Sequence, residues 1–384
     1  MDKRLPLAAA LIIVVLFGVP LLFPHAPVPP KAIHADSISR AAAPAPDVAV
    51  AHAVPVAPAA VAPAKALSGV KPDTIVEQTE VTTTWFSSIG GAPLAIQVDS
   101  FAALNGKGGR VMLKHGQEPL LRFRVITPTD TIALDRMAFT STKTAGANGG
   151  SVLVFTGSNG KEQATIRYDI LKDNYLSTIS VDVTGAASPA FLLVDLPGGF
   201  DTQEADTIGD MRALAYSVKP VTQSARGTPF TKLDSGEKKL EPGPLSWVVA
   251  KSKYFLVGLL QPVGGKPFAE AHLEGGPRTR KQATNAFATA VMPLDNGHAS
   301  FEMYAGPQSW KRLHAIGREF ETANPYGGWL QPVVQPFSTI VMATLLWMKK
   351  TLNFSDGWVL VIFGISVRLL MWPLNQGAMR TSIK

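Results

Sequence analysis

Residues 164–181 read ATIRYDILKDNYLSTISV. Ala164, Ile166, Tyr168 and Ile170 alternate with polar neighbours, Lys172-Asp173-Asn174 is a turn, and Tyr175, Ser177, Ile179 and Val181 begin a second alternating stretch. A period of two places one face of a strand in a core and the other in water. The pattern continues on the N-terminal side. Leu121, Phe123 and Val125 alternate with Arg122 and Arg124, and Ser158-Asn159-Gly160 links the apolar run 152–156 to the strand after it. Asn-Gly between two such runs signals a hairpin. Gly90-Gly91, Gly108-Gly109, Gly149-Gly150 and Gly264-Gly265 punctuate further turns. Many short strands at close spacing predict a β-sandwich over residues 71–307, large for one sandwich but within the range of a single all-β domain.

Before this region lie two segments of other composition. Lys3 and Arg4 precede the uncharged run Leu5 to Phe23. Positive charge before an apolar run keeps the N-terminus in the cytoplasm. Nineteen apolar residues without a small-x-small cleavage site fit an uncleaved anchor; the alternative is a cleaved secretory signal. Either one exports the chain beyond Phe23. Residues 24–70 are rich in Ala and Pro and cannot bury enough surface to fold, so they read as an extended tether.

After the β region the period changes. Trp310, Leu313, Ile316 and Phe320 are spaced three or four apart, which predicts one amphipathic helix over 308–323, stopped by Asn324-Pro325. In WLQPVVQPFSTIVMATLLWM, residues 329–348, Val333, Phe337, Ile340, Val341, Leu345 and Met348 share one face, and Gln331, Gln335 and Ser338 lie on another. Pro332 and Pro336 fit a lead-in turn, and Lys349-Lys350 closes the segment. It either spans a bilayer or lies flat in the interface. Residues 357–374, GWVLVIFGISVRLLMWPL, are long enough to cross a core of about 30 Å. Their only charge is Arg368. A charge at a helix centre costs about 2.5–3.5 kcal/mol on insertion scales. Arg368 lies about 9 Å from Leu374 at 1.5 Å per residue, so it either snorkels to the headgroups or serves a function.

The chain of 384 residues is 46% hydrophobic and 17% charged, below the usual charged share of about 25%. That deficit fits membrane association. The net charge of +7 comes from scattered residues without a nucleic-acid-binding motif, which argues against DNA or RNA as partner. With no cysteine, thiolate catalysis, disulfides and cysteine-bound metals are excluded. His25, His34, His52, His115, His272, His298 and His314 show no metal-ligand spacing, and no catalytic constellation, cofactor motif or metal site emerges. Asp195, Asp201, Glu204, Asp206 and Asp210 form an acidic run that reads as a solvated loop rather than a glycosidase pair. Gly106-Lys107-Gly108-Gly109 lacks phosphate-loop spacing and reads as a turn, and Arg278-Thr279-Arg280-Lys281 reads as an exposed loop.

The order of these segments, together with Tyr304-Ala305-Gly306-Pro307, Tyr326-Gly327-Gly328-Trp329, Gln335-Pro336-Phe337, Gly357-Trp358 and Val367 to Leu374, resembles the N-terminal part of bacterial membrane protein insertases of the YidC/Oxa family. The resemblance implies a periplasmic β-supersandwich plus transmembrane and interfacial α-helices, in a multi-pass protein of the bacterial inner membrane. It divides the chain into an anchor (1–23), a tether (24–70), a β domain (71–307), linking and interfacial helices (308–350), a spanning helix (357–376) and the start of a cytoplasmic region (377–384). The family's further spanning helices come after this point, so the chain is expected to be a fragment. The resemblance also implies that 329–348 lies in the interface and that Arg368 is the charge of a hydrophilic groove that receives polar parts of a substrate. The implied partners are nascent membrane proteins and the lipid bilayer, with the Sec translocon and the ribosome as further candidates, and no enzyme activity or cofactor is implied. The alternative is a membrane-anchored periplasmic β-sandwich that binds or modifies carbohydrate.

Overall fold

A computed structural model describes residues 72–278, 283–324 and 331–381. The expected anchor and tether, most of the Arg278–Lys281 stretch and the Tyr326–Trp329 motif lie outside them. The strands are β1 (Thr74–Gln78), β2 (Thr82–Ser87), β3 (Pro93–Ala102), β4 (Arg110–Leu113), β5 (Arg122–Ile126), β6 (Thr131–Ile132), β7 (Phe139–Ala145), β8 (Ser151–Ser158), β9 (Gln163–Ile170), β10 (Leu176–Thr184), β11 (Ala190–Leu196), β12 (Ala215–Pro220), β13 (Arg226–Pro229), β14 (Lys238–Lys251), β15 (Phe255–Leu260), β16 (Phe268–Gly275), β17 (Ala286–Leu294) and β18 (His298–Pro307). The helices are α1 (Thr207–Arg212), α2 (Trp310–Ile316), α3 (Gln331–Leu352) and α4 (Asp356–Thr381).

The expected β architecture is present. β9 and β10 pair antiparallel from Ser177↔Ile170 to Thr184↔Gln163, and Ala164, Ile166, Tyr168, Ile179 and Val181 are buried. β1 to β4 make one sheet in sequence order. The second sheet runs β6-β5-β11-β17-β16-β14-β15-β18-β10-β9-β8-β7, with β12 on β14 and β13 on β12. Phe86 of β2 packs on Phe155 and Tyr168, and the Tyr168 hydroxyl donates to the Gly91 carbonyl at 2.7 Å, which joins the two sheets. The large sheet also curls back on itself. Phe123 of β5 and Phe268 of β16 both lie against Phe301 of β18, with ring centroids 6.4 and 6.3 Å away. Such a double layer buries both inner faces, as a sandwich requires.

β14 is where the sheet turns. Its first half pairs with β16 and its second half with β12 and β15, and the register shifts between Pro242 and Leu245. A bulge bends a strand and re-aims the residues beyond it. Gly243 stands at the bend, where a Cβ would intrude on the Ala269 carbonyl.

The expected single helix over 308–323 is not what forms. α2 ends at Ile316, and Gly317, Arg318 and Glu319 all take positive φ (79°, 58° and 53°) before a short 3-10 turn, Phe320–Ala323. The apolar positions still point inward at both ends, since Leu313 and Phe320 are buried. The helix breaks because the sheet captures its middle. Arg318 pairs with Glu302 at 2.6 Å and donates to the Gln261 carbonyl, and the Trp247 indole donates to the Arg318 carbonyl at 3.1 Å. Phe320 then enters a slot between Trp247 and Tyr304. Residues 310–324 thus form a strap over β14, β15 and β18. This explains why β15 is buried along its whole length, FLVGLL, on both faces.

The residues from Pro336 onward fall in a separate compact unit. α3 contains both Pro332 and Pro336, so the helix starts earlier than a lead-in turn through both prolines would allow. Pro332 lies in the first turn, where the N–H has no partner, and Pro336 follows at the sixth position of the helix. Asn353 ends α3 in the left-handed conformation (φ 51°), donating to the Lys349 carbonyl at 3.1 Å, with Lys349 and Lys350 in the last turn. Three residues later α4 begins, with the Ser355 carbonyl accepting from Val359 at 3.1 Å. Among the described residues no helix is long and apolar enough to cross a membrane; the side chains of Leu370, Met371 and those from Pro373 onward are not among them.

Candidate functional site

Arg368 stands near the middle of α4, one turn after Gly364 and one before Trp372. The helix forms because 356–381 holds long apolar side chains without an internal break before Pro373. Apolar side chains are exposed on opposite sides of it: Val361, Ile365, Leu369 and Trp372 on one, Leu360 and Val367 on the other. Ser366 donates back to the Ile362 carbonyl at 2.9 Å, as Thr344 does to Ile340 at 2.8 Å in α3, so each hydroxyl is satisfied within its own helix.

The guanidinium of Arg368 is exposed, and among the described residues it makes no ion pair. The only acid from residue 331 to 384 is Asp356. That residue is twelve positions away, about 18 Å along a helix axis. Helical side chains lean toward the N-terminus, so the arginine stem lies over Gly364, where a Cβ would meet nothing within 4 Å. The arrangement is a positive charge with open space beneath it, able to attract anionic or polar groups.

The β domain places the other sequence candidates in structural roles. Asp206 caps α1 by accepting from the Gly209 N–H at 2.9 Å, and Asp210 is buried and accepts from Gln203 N–H at 3.0 Å. Asp201 accepts from Gly116 at 3.0 Å. Asp195 binds Arg124 at 2.7 Å and Thr289 at 2.6 Å. Four of the five carboxylates are therefore held by caps and cross-strand pairs rather than standing free in a solvated loop; Glu204 has no such role among the described residues. His272, His298 and His314 each face one carboxylate, at 2.7, 2.7 and 3.0 Å. The residues 106–109 form an open turn with positive φ at Gly106, Gly108 and Gly109. Arg278 is a correction to the exposed-loop reading. It reaches inward, donating to the carbonyls of Phe230, Thr231 and Leu233 and pairing with Asp234 at 3.3 Å.

Sequence reading missed the charges under the strap. Lys219 is nearly buried, donates to the Gln223 carbonyl at 2.7 Å and pairs with Glu319 at 3.3 Å. Lys251 donates to the Asn324 side chain, and burial lowers its pKa to about 8. The visible signal is a lysine closing each of two otherwise apolar stretches, YSVK and SWVVAK. A lysine whose pKa falls on folding holds fewer protons than in the unfolded chain, so stability rises with pH between about 8 and 10.5. Lys251→Met is expected to be more stable than the parent at pH 7, by up to about 3 kcal/mol. The gain should shrink to nothing above pH 10.5, as read by urea titrations at several pH values.

Residues 103–340 match the family model described as the YidC periplasmic domain. A membrane protein insertase YidC of Anaeromyxobacter sp. (strain Fw109-5) is 26% identical over 234 residues, covering 59% of this chain and 40% of that protein. The insertase of the same name from Chlorobaculum tepidum is 22% identical over 233 residues, 57% of this chain and 37% of that protein. The chain thus spans about two fifths of the length of these relatives. Among solved structures, a putative aldose 1-epimerase from Escherichia coli K12 aligns with 62% of this chain and 99% of its own at a TM-score of 0.41 and 8% identity. A galactose mutarotase-like protein from Lactobacillus casei aligns with 61% and 100% at 0.39 and 9% identity. By the family match, which covers more than half of its residues, the chain belongs to the YidC periplasmic domain family.

Proposed function

We propose that the chain acts in membrane protein insertion, and that Arg368 is the charge of an intramembrane groove. The anchor at 1–23 and the tether at 24–70 hold the β domain on the periplasmic side of the inner membrane. α3 lies in the interface, and α4 crosses the bilayer. The single observation that carries this reading is Arg368 itself, a cation without an ion pair among the described residues, within an apolar stretch of its helix, in a chain of this family. The names of the relatives support the substrate class.

The physics is desolvation. Polar segments of a nascent membrane protein pay several kcal/mol per unsatisfied group to cross hydrocarbon. A wet cavity lined by one fixed positive charge lowers that cost and draws acidic residues toward it. No bond is made or broken, so the role is that of an insertase and chaperone rather than an enzyme of covalent chemistry. Nascent membrane proteins and lipid are the partners this requires; the Sec translocon and the ribosome would deliver them.

The test is complementation. A bacterium depleted of its own insertase would receive this chain joined to the remaining C-terminal part of a curated relative. Growth and insertion of membrane proteins are expected to return. Arg368→Ala should lose insertion of those substrates whose exported segments carry acidic residues, whereas Arg368→Lys keeps part of it. Equal insertion of every substrate by the parent and Arg368→Ala would refute the role.

A further inference from the structure

The two ends of the β domain differ. The registers Ala145↔Ser151, Ser151↔Ile170, Ile170↔Ser177, Leu176↔Tyr304, Pro307↔Phe255 and Leu256↔Lys251 line up seven strand ends side by side. The turns there are 146–150, 171–174 and 252–254, and α2 starts beside them. They form one surface. The Lys172 stem approaches Gly149, Arg312 lies over the Tyr175 ring at 5.2 Å, and Gln308 N–H donates to the Tyr254 carbonyl at 2.7 Å. Phe101 meets Phe255 edge-on at 5.4 Å.

On that surface Tyr254 is 49% exposed and Phe101 40% exposed, and Leu171 in the 171–174 turn is exposed as well. The Lys253 ammonium sits 5.3 Å from the Tyr254 ring centroid. The three turns and α2 carry Lys172, Lys253, Lys311 and Arg312 against Asp173; Lys172 also faces Glu80 at 2.8 Å. The turns of the opposite end, 159–162, 185–189, 261–267 and 295–297, contain no aromatic residue and balance Lys161 and Lys266 against Glu162 and Asp295. The chain also leaves the domain at the basic, aromatic end, where Asn324 is held by Lys251.

Exposed aromatics on a surface that also carries lysine and arginine suit the level of lipid headgroups, where an amphipathic ring finds one apolar and one wet side. Basic side chains there meet lipid phosphates within a Debye length. We propose that this end of the β domain rests on an anionic bilayer surface, with Phe101 and Tyr254 at headgroup level and Lys172, Lys253, Lys311 and Arg312 against the phosphates. This docking rests on the membrane attachment proposed above. It would hold the domain in one orientation on the membrane surface.

The chain has no cysteine, so a single label reports one place. Tyr254→Cys and Val263→Cys, the latter on the opposite end, would each carry an environment-sensitive fluorophore on the full chain. The chain would be reconstituted in vesicles of phosphatidylethanolamine and phosphatidylglycerol, or of phosphatidylcholine alone, with headgroup spin-labelled lipid as quencher. The label at 254 should be quenched in the anionic vesicles and that at 263 should not. Quenching at 254 should fall in phosphatidylcholine, in high salt and in the double variant Lys253→Glu, Lys311→Glu, whose melting temperature should match the parent's. Equal exposure at 254 and 263 in anionic vesicles, or equal quenching at 254 in both lipids, would overturn the proposal. Flotation separates the two readings. A chain that floats with an unquenched 254 label is attached but not docked, and a chain that fails to float refutes both.

Discussion

Phe320→Ala is expected to destabilise the β domain by about 3–5 kcal/mol, the range for removing a buried phenylalanine. The ring is fully buried. It packs edge-on to Trp247 at 5.6 Å and to Tyr304 at 5.7 Å, and it fills the space that Gly258 leaves open on β15. Gly258 has no side chain with which to refill the slot, so the cavity cannot collapse easily. The loss should appear as a lower urea midpoint with an unchanged slope. A change below about 1 kcal/mol would mean that the strap packs more loosely than these contacts require.

Glu302→Gln is expected to cost about as much, about 3–5 kcal/mol, because it leaves Arg318 buried and unpaired. The two side chains are 12% and 14% exposed, and Arg318 is held at a second point by donating to the Gln261 carbonyl. Replacing both partners removes the desolvation penalty together with the attraction. Glu302→Met with Arg318→Met should therefore cost clearly less than Glu302→Gln alone. A double-mutant cycle on the full chain measures this coupling. Additive effects of the two substitutions would show that the pair contributes nothing to pinning the strap.

These two predictions concern the part of the fold that the sequence hid. Strands such as β9 and β10 were legible because a half-buried strand writes its own alternation, and residues 164–170 and 175–181 kept it on either side of one turn. The Asn159-Gly160 turn was legible for its chemistry. It came out as a four-residue loop in which the Asn159 side chain accepts from both Lys161 and Glu162. The strap was not legible. Trp310, Leu313, Ile316 and Phe320 have helical spacing whether or not the helix is continuous, and the break at 317–319 is imposed by Glu302 and Gln261, distant in sequence. The doubling of the large sheet was hidden for the same reason, since the bend in β14 depends on what Gly243 approaches. Arg368 was legible because a lone charge in an apolar run needs no tertiary information to stand out.

The central claim is that the Arg368 side of α4 faces a nascent membrane protein within the bilayer. Site-specific photo-cross-linking tests it most directly. Photoreactive residues would replace Val361 and Trp372, on the Arg368 side of the helix, and Phe363, on the opposite side. The chain, completed as for complementation, would be challenged with a ribosome-stalled membrane protein. Cross-links from 361 and 372 but not from 363, lost in Arg368→Ala, are the predicted result. Cross-links of equal yield from all three positions, or from none while insertion proceeds, would contradict it.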